Sequence, residues 1–92
     1  MASYNVAIRP AAGKDIERID QRTLRQRIID RITKLANNPR PPGCEKLSGT
    51  TNTYRIRQGD YRIIYDIEDT RVLVVVVKVA HRKDVYRRRG RA

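Results

Sequence analysis

Residues Tyr54–Tyr65 have the sequence YRIRQGDYRIIY, and this stretch decides the fold. It predicts a β-hairpin that turns at Gly59 and Asp60, because a glycine-containing pair suits a tight turn between two strands of alternating side chains. The predicted register places Tyr54 opposite Tyr65. The remaining segments are interpreted around this hairpin.

Successive side chains of a strand point to opposite faces of its sheet, so the hairpin has one apolar face and one basic face. The basic face, called the arginine face below, carries Arg55, Arg57, Arg62 and Ile64. Arg57 lies directly opposite Arg62 in the predicted register, and like charges in that position destabilise a sheet by about 0.2–1 kcal/mol. Because guanidinium groups match phosphate oxygens in pairs, the arginine face predicts a polyanion site.

Length and charge favour one small basic domain. The chain has 92 residues and a formal net charge of +11. We expect a single domain over residues 1–92, with a frayed basic tail at residues 87–92. This charge favours nucleic acid, ribonucleoprotein or an acidic protein as the partner.

The composition argues against a metal site and a membrane span. The chain has one histidine and one cysteine, whereas a zinc site needs three or four ligands. We therefore expect no metal and no cofactor. No apolar run approaches the roughly 20 residues of a membrane-spanning helix, and no signal peptide is recognisable. The expected location is the cytoplasm, with no membrane partner.

The other segments predict an α+β domain. A strand at Tyr4–Arg9 is followed by a short helix beginning near Pro10, and then by a longer helix with an apolar stripe from Leu24 to Ala36. The strand Arg71–Ala80 follows the hairpin. The order is β-α-α-β-β-β, with a short C-terminal helical turn. We expect a mostly antiparallel four-stranded sheet with both helices packed on one face.

The orientation of the last strand is less determined than that of the hairpin. Leu73, Val75, Val77 and Val79 are the predicted core-facing set, but the alternate positions are also mostly apolar. The strand can therefore be assigned either way.

Four segments give the chain a family resemblance: Leu47–Gly49, Tyr54–Arg57, Gly59–Tyr65 and Val79–Tyr86. Together with the element order, they resemble the RelE/ParE superfamily of type II toxin-antitoxin toxins, and most closely its RelE branch. The resemblance implies a toxin that cleaves mRNA in the ribosomal A site by attack of a 2′-hydroxyl group, without metal. It also implies a hetero-oligomer with a cognate antitoxin, whose contacting segment we expect to be acidic or amphipathic.

The resemblance also implies roles for individual residues. Arg55 and Arg57 match positions where ribosome-dependent members carry basic residues, commonly lysines. Arg62 and Arg82 match arginines that hold the scissile phosphate or serve the leaving group. Tyr86 matches a tyrosine that stacks on or orients the mRNA base.

The general base is the open question of this assignment. Arginine remains protonated near neutral pH and is a poor base. His81 is therefore a catalytic candidate, because histidine ordinarily titrates near neutrality. The alternative is that the ribosome and the mRNA supply the orientation that cleavage requires.

Two other functions remain open. One is a ParE-like inhibitor of DNA gyrase, which the shared fold and the missing lysines favour. The other is a non-enzymatic nucleic-acid-binding protein or degenerate toxin, for which we expect salt-dependent binding without cleavage.

Overall fold

The computed structural model describes residues 3–83, which form two helices and one five-stranded sheet. The elements are β1 (Asn5–Ile8), α1 (Pro10–Glu17), α2 (Arg22–Lys34), β2 (Glu45–Lys46), β3 (Thr53–Gln58), β4 (Tyr61–Glu68), a 3₁₀ turn (Asp69–Arg71) and β5 (Leu73–His81). The predicted α+β class and the order of the longer elements are confirmed.

The sheet has the strand order β1-β5-β4-β3-β2. Strand β1 runs parallel to β5, and the other neighbours are antiparallel. The structure adds β2 to the four predicted strands, pairing Glu45 with Arg55 and Lys46 with Tyr54. Two residues are too short to show the period-2 alternation that identifies a strand.

The hairpin has the predicted register. Tyr54 pairs with Tyr65, and Arg57 pairs with Arg62. Gly59 has a φ of 62°, the backbone region that glycine adopts without a steric cost. The turn therefore explains why this position is a glycine.

Both helices pack on the face of the sheet opposite the arginine face. Ala12 and Ile16 of α1 and Ile28 and Ile32 of α2 are buried there. The strands and loops supply the rest of the core: Ile19, Leu35, Ile56, Ile63, Tyr65, Ile67, Val74, Val76 and Val79. The tyrosine hydroxyl of Tyr65 donates a 2.7 Å hydrogen bond to the Pro39 carbonyl, so its only polar group is satisfied inside the core.

Strand β5 changes orientation at a β-bulge. Ile64 pairs with Lys78 and Tyr65 pairs with Val76, so the ladder skips Val77. As a result Val74 and Val76 are buried before the bulge, and Val79 is buried after it. The predicted inward set was right for Val79 and wrong for Leu73, Val75 and Val77, which are only partly buried. A strict alternation cannot continue through a skipped residue.

An aspartate of α1 supports the strand beyond this bulge. The backbone N–H of Val79 donates a 3.1 Å hydrogen bond to Oδ2 of Asp15. Nζ of Lys78 lies 3.6 Å from the same oxygen, and the Asp15 side chain is only 13% exposed. Helix α1 therefore holds the end of β5 that leads to Arg82.

Arg82 and Lys83 have helical conformation. The rest of the predicted C-terminal turn and the tail at residues 87–92 lie outside the described residues. Neither of the two helices within residues 3–83 is long and apolar enough to span a membrane.

Replacing Asp15 by Ala should lower the free energy of unfolding by about 1–3 kcal/mol, because the Val79 N–H loses its acceptor in a partly buried position. Urea unfolding measures this change. Glu17→Ala is the matched control, because Glu17 is an exposed acid on the same helix. Equal destabilisation by the two substitutions would show that Asp15 does not support the end of β5.

Candidate phosphate-binding site

Three arginines line a depression at the turn end of the hairpin. The depression has a volume of about 240 Å³. Its lining residues are Arg57, Gly59, Asp60, Tyr61, Arg62 and Arg82. Strand β3 supplies the first arginine, β4 the second, and the residue after β5 the third. We call this depression the arginine site.

The backbone of the turn brings Arg82 to the other two arginines. The Arg82 N–H donates a 2.9 Å hydrogen bond to the Asp60 carbonyl. Nη1 of Arg82 also lies 4.0 Å from Oδ1 of Asp60, and both side chains are more than half exposed. Such an exposed pair contributes little to stability, so the backbone bond does most of the positioning.

The arginine site has an excess of positive charge. Asp60 is the only acidic residue of the lining, against three arginines. Arg57 and Arg62 are direct cross-strand neighbours, a pairing of like charges that the hairpin itself does not favour. An anion between them would relieve the repulsion and accept paired hydrogen bonds from their guanidinium groups.

Arg55 lies on the arginine face but outside the lining of the arginine site. Its Nη2 forms an ion pair with Oε1 of Glu45 on the neighbouring strand β2. The hydrogen bond from Arg55 lowers the pKa of the Glu45 carboxyl, and the charge of Arg62 adds to this effect. Arg55 is therefore already engaged with a carboxylate.

His81 lies on the helix-covered side of the sheet with Asp15, Arg18 and Ile19, and it does not itself line the arginine site. It pairs with Tyr61 in the ladder, and the two rings meet edge to face with centroids 5.1 Å apart. Its Nδ1 accepts a 3.1 Å hydrogen bond from the Lys83 N–H. The structure thus separates His81 from Arg82, its neighbour in the sequence.

Three contributors to this region were not among the sequence-predicted site residues: Glu45, Asp60 and Tyr61. Asp60 and Tyr61 follow Gly59 between the paired arginines, so the hairpin register was a signal that could have found them. Glu45 gave no such signal, because its strand has only two residues. Tyr86, the remaining predicted site residue, lies outside the described residues.

The chemistry available in the arginine site is electrostatic. Its six lining residues include no histidine, cysteine or lysine. Among residues 3–83, no three histidine, cysteine, aspartate or glutamate side chains are grouped so that they could hold a metal ion. The described residues can therefore hold an anion and stabilise developing negative charge.

Comparison with known proteins identifies the family. Residues 6–86 match the family model described as the ParE toxin of the type II toxin-antitoxin system parDE. The chain belongs to the RelE/ParE superfamily. Its relatives include Toxin RelG of Mycobacterium tuberculosis, which is 31% identical over 92% of this chain and 98% of that protein. Toxin RelE of the same organism is 30% identical over 91% of this chain and 87% of that protein.

Solved structures agree with this assignment. One chain of the archaeal RelE-RelB complex from Pyrococcus horikoshii matches the present structure with a TM-score of 0.77 and 27% sequence identity. The match covers 87% of this chain and 96% of that chain. The predicted membership is confirmed, and the protein is a RelE-like toxin of the type II class.

The Glu45 carboxyl should titrate below the usual range of a glutamate, because the carboxylate accepts a hydrogen bond from Arg55. Carbon-detected NMR of the side-chain carboxyl follows this titration. Any stability that the pair contributes is present above the unfolded-state pKa and is lost as the pH falls through the lower folded-state pKa. Arg55→Gln should return the Glu45 midpoint towards its ordinary value. An unchanged midpoint in that variant would show that the two side chains do not pair.

Proposed function

We propose that this toxin cleaves mRNA in the ribosomal A site, with Arg57, Arg62 and Arg82 holding the scissile phosphate. The observation that carries the proposal is that these three arginines line one depression. The names of the relatives, RelE and RelG toxins, support the same reading. Catalysis takes place in the cytoplasm, where the ribosome is the partner that presents the mRNA.

The proposed reaction is an internal displacement at phosphorus. The 2′-oxygen forms a bond to phosphorus as its proton is lost, and the bond from phosphorus to the 5′-oxygen of the next nucleotide breaks. That 5′-oxygen takes up a proton, so the products are a 2′,3′-cyclic phosphate and a 5′-hydroxyl group. Negative charge grows on the equatorial oxygens during the displacement. Guanidinium groups fixed around those oxygens stabilise this charge.

Proton removal is the step to which the arginine site contributes least. Arginine is a poor base, and the Glu45 carboxylate is weakened as a base because Arg55 lowers its pKa. His81 lies on the other side of the sheet from the arginines. We therefore propose that the ribosome orients the 2′-hydroxyl in line with the leaving oxygen. This orientation supplies the rate enhancement that a strong base would otherwise provide.

Two further sequence-predicted residues have proposed roles beside the arginine site. Arg55, held by Glu45 on the same face, is placed to contact a phosphate next to the cleaved one. Tyr86 is proposed to stack on the mRNA base, which aromatic side chains do at about 1–3 kcal/mol per base.

The proposed protein partner is a cognate antitoxin. The similar structure from Pyrococcus horikoshii is a RelE-RelB complex. A similar structure from Escherichia coli is the intact RelBE toxin-antitoxin complex. For this chain we propose a hetero-oligomer in which an acidic or amphipathic antitoxin segment covers the arginine site, since buried arginines require charged or hydrogen-bonding partners.

A ParE-like inhibitor of DNA gyrase is the second candidate. The name of the matching family model favours it, as does arginine in place of lysine at positions 55 and 57. Gyrase-linked DNA breaks in cells with intact mRNA would identify this function. Strongly salt-dependent RNA binding without any cleavage product would instead identify a non-enzymatic binding protein.

Arg62→Ala should lower the single-turnover rate of mRNA cleavage on programmed ribosomes about 100-fold or more, because the transition state loses a charged donor. Arg57→Ala and Arg82→Ala should act in the same direction. Circular dichroism and thermal unfolding of each variant check that the fold is retained.

Two control variants accompany this measurement. Arg71→Ala removes an arginine that pairs with Glu68 at the opposite end of β4, and cleavage should continue at the wild-type rate. His81→Gln should also retain cleavage, because the histidine is not part of the arginine site. Full cleavage by folded Arg62→Ala and Arg82→Ala would refute the proposed function. Loss of cleavage in His81→Gln alone would identify His81 as the general base.

A further inference from the structure

Arg40 joins three segments of the chain at the end of the β3–β4 hairpin opposite its turn. It lies in the loop of residues 35–44, which connects α2 to β2. Its guanidinium makes two contacts with Asp69, because Nη2 lies 2.9 Å from Oδ2 and Nη1 lies 3.3 Å from Oδ1. Its Nε donates a 3.2 Å hydrogen bond to the hydroxyl group of Tyr54 on β3. We call Arg40, Tyr54 and Asp69 the clasp.

The clasp is a network rather than an isolated ion pair. The side chains of Arg40 and Asp69 are 43% and 54% exposed, and a single exposed pair contributes little to stability. Here the guanidinium carbon also lies over the Tyr54 ring, 5.2 Å from its centroid. The Tyr4 hydroxyl donates a 2.7 Å hydrogen bond to Oδ1 of Asp69. The hydrogen bond from Arg40 lowers the pKa of the Asp69 carboxyl, so the network is charged at neutral pH.

The strand that follows the loop has little support of its own. Strand β2 has two residues and lies at the edge of the sheet, with two ladder pairs to β3. One backbone hydrogen bond follows it, from the Leu47 N–H to the Thr53 carbonyl. So short a strand is marginal by itself. Residues 41–44 join Arg40 to β2 and include two prolines, whose fixed φ angles stiffen the connection. The position of β2 therefore depends on the position of Arg40.

Strand β2 in turn restrains one cation of the arginine face. Oε1 of Glu45 accepts a hydrogen bond from Nη2 of Arg55, whose side chain is 34% exposed. A long side chain loses rotamer freedom when it binds a ligand, and this loss weakens binding. Glu45 removes part of that freedom before any ligand arrives. The placement of β2 therefore decides how well Arg55 is preorganised.

We infer that Arg40 is a positioning residue for Arg55. The clasp fixes the loop of residues 35–44, the loop fixes β2, and β2 places Glu45 against Arg55. These steps concern the protein alone. The consequence for RNA rests on the proposed function, in which Arg55 contacts a phosphate next to the cleaved one.

NMR titration of the Glu45 carboxyl in the full chain, without RNA, tests the steps within the protein. Arg40→Lys retains the positive charge but cannot make the forked contacts of a guanidinium. We expect the Glu45 midpoint to rise towards its ordinary value, because β2 no longer holds the carboxylate against Arg55. A clasp that only stabilises the fold would lower the melting temperature and leave this midpoint unchanged.

Arg71→Lys is the matched control. Arg71 lies in the same turn as Asp69 and pairs with Glu68 outside the clasp, with a side chain that is 69% exposed. Its substitution should leave the Glu45 midpoint at the wild-type value. An unchanged midpoint in folded Arg40→Lys, or an equal rise in Arg71→Lys, would overturn the inference. Asp69→Asn opens the clasp from its other side, and it replaces Arg40→Lys if that variant does not fold.

Cleavage on programmed ribosomes tests the consequence for RNA. Arg40→Lys should raise KM about 2- to 10-fold, because Arg55 then has to be ordered on binding. The rate at saturation should be retained, as expected for a contact made equally before and during the reaction. In an Arg55→Gln background, Arg40→Lys should cause no further rise in KM. A further rise of the same size would show that Arg40 does not act through Arg55.

The two measurements separate this inference from the proposed function. A rise of the Glu45 midpoint in Arg40→Lys, in a protein that does not cleave mRNA, would refute only the proposed function. Cleavage by the wild type, with a Glu45 midpoint that does not respond to opening the clasp, would refute only the role of Arg40.

Discussion

The alternation of side chains along the β3–β4 hairpin is the constraint on which the rest of the structure depends. Ile56, Ile63 and Tyr65 face the helices and are almost completely buried. The alternate positions must then point away from the core, and this places Arg57 and Arg62 side by side. A shift of the register by one residue would bury the arginines and expose the core. The register that buries the core therefore also fixes the position of the cations.

The end of β5 completes the arginine site through backbone interactions. The β-bulge at Val77 changes the orientation of the strand, and beyond the bulge Asp15 accepts a hydrogen bond from the Val79 N–H. Three residues after Val79, the Arg82 N–H donates a hydrogen bond to the Asp60 carbonyl. The third arginine is thus positioned by hydrogen bonds of the main chain, while its side chain stays exposed to reach a ligand.

The sequence was sufficient for the parts of the structure that have strict periodicity. Tyr54, Arg57 and their partners alternate without exception, and their register was predicted correctly. Leu73 and Val75 were misassigned because both faces of β5 are apolar, so that no pattern reveals the bulge. The pairing of Arg55 with Glu45 depends on a strand of two residues, and the separation of His81 from Arg82 depends on where the last strand ends. Both are tertiary effects without a local signal.

Charge stabilisation rather than proton transfer is the chemistry that this chain can offer to a phosphodiester. Three arginines converge where a phosphate can bind, whereas the single histidine does not line this depression and packs edge to face against Tyr61. A domain with arginine at positions 55 and 57 can therefore act on RNA if the ribosome orients the reacting hydroxyl group and the arginines stabilise the charge.

The most direct test replaces each non-bridging oxygen of the scissile phosphate by sulfur in turn, and measures single-turnover cleavage by the wild type and by Arg62→Ala. If the guanidinium of Arg62 binds one of these oxygens in the transition state, one of the two sulfur substitutions slows the wild type markedly and slows Arg62→Ala much less, because the contact is already missing in the variant. Equal slowing of both proteins by each substitution would show that Arg62 does not touch the phosphate, and would contradict the assignment of catalysis to the arginine site.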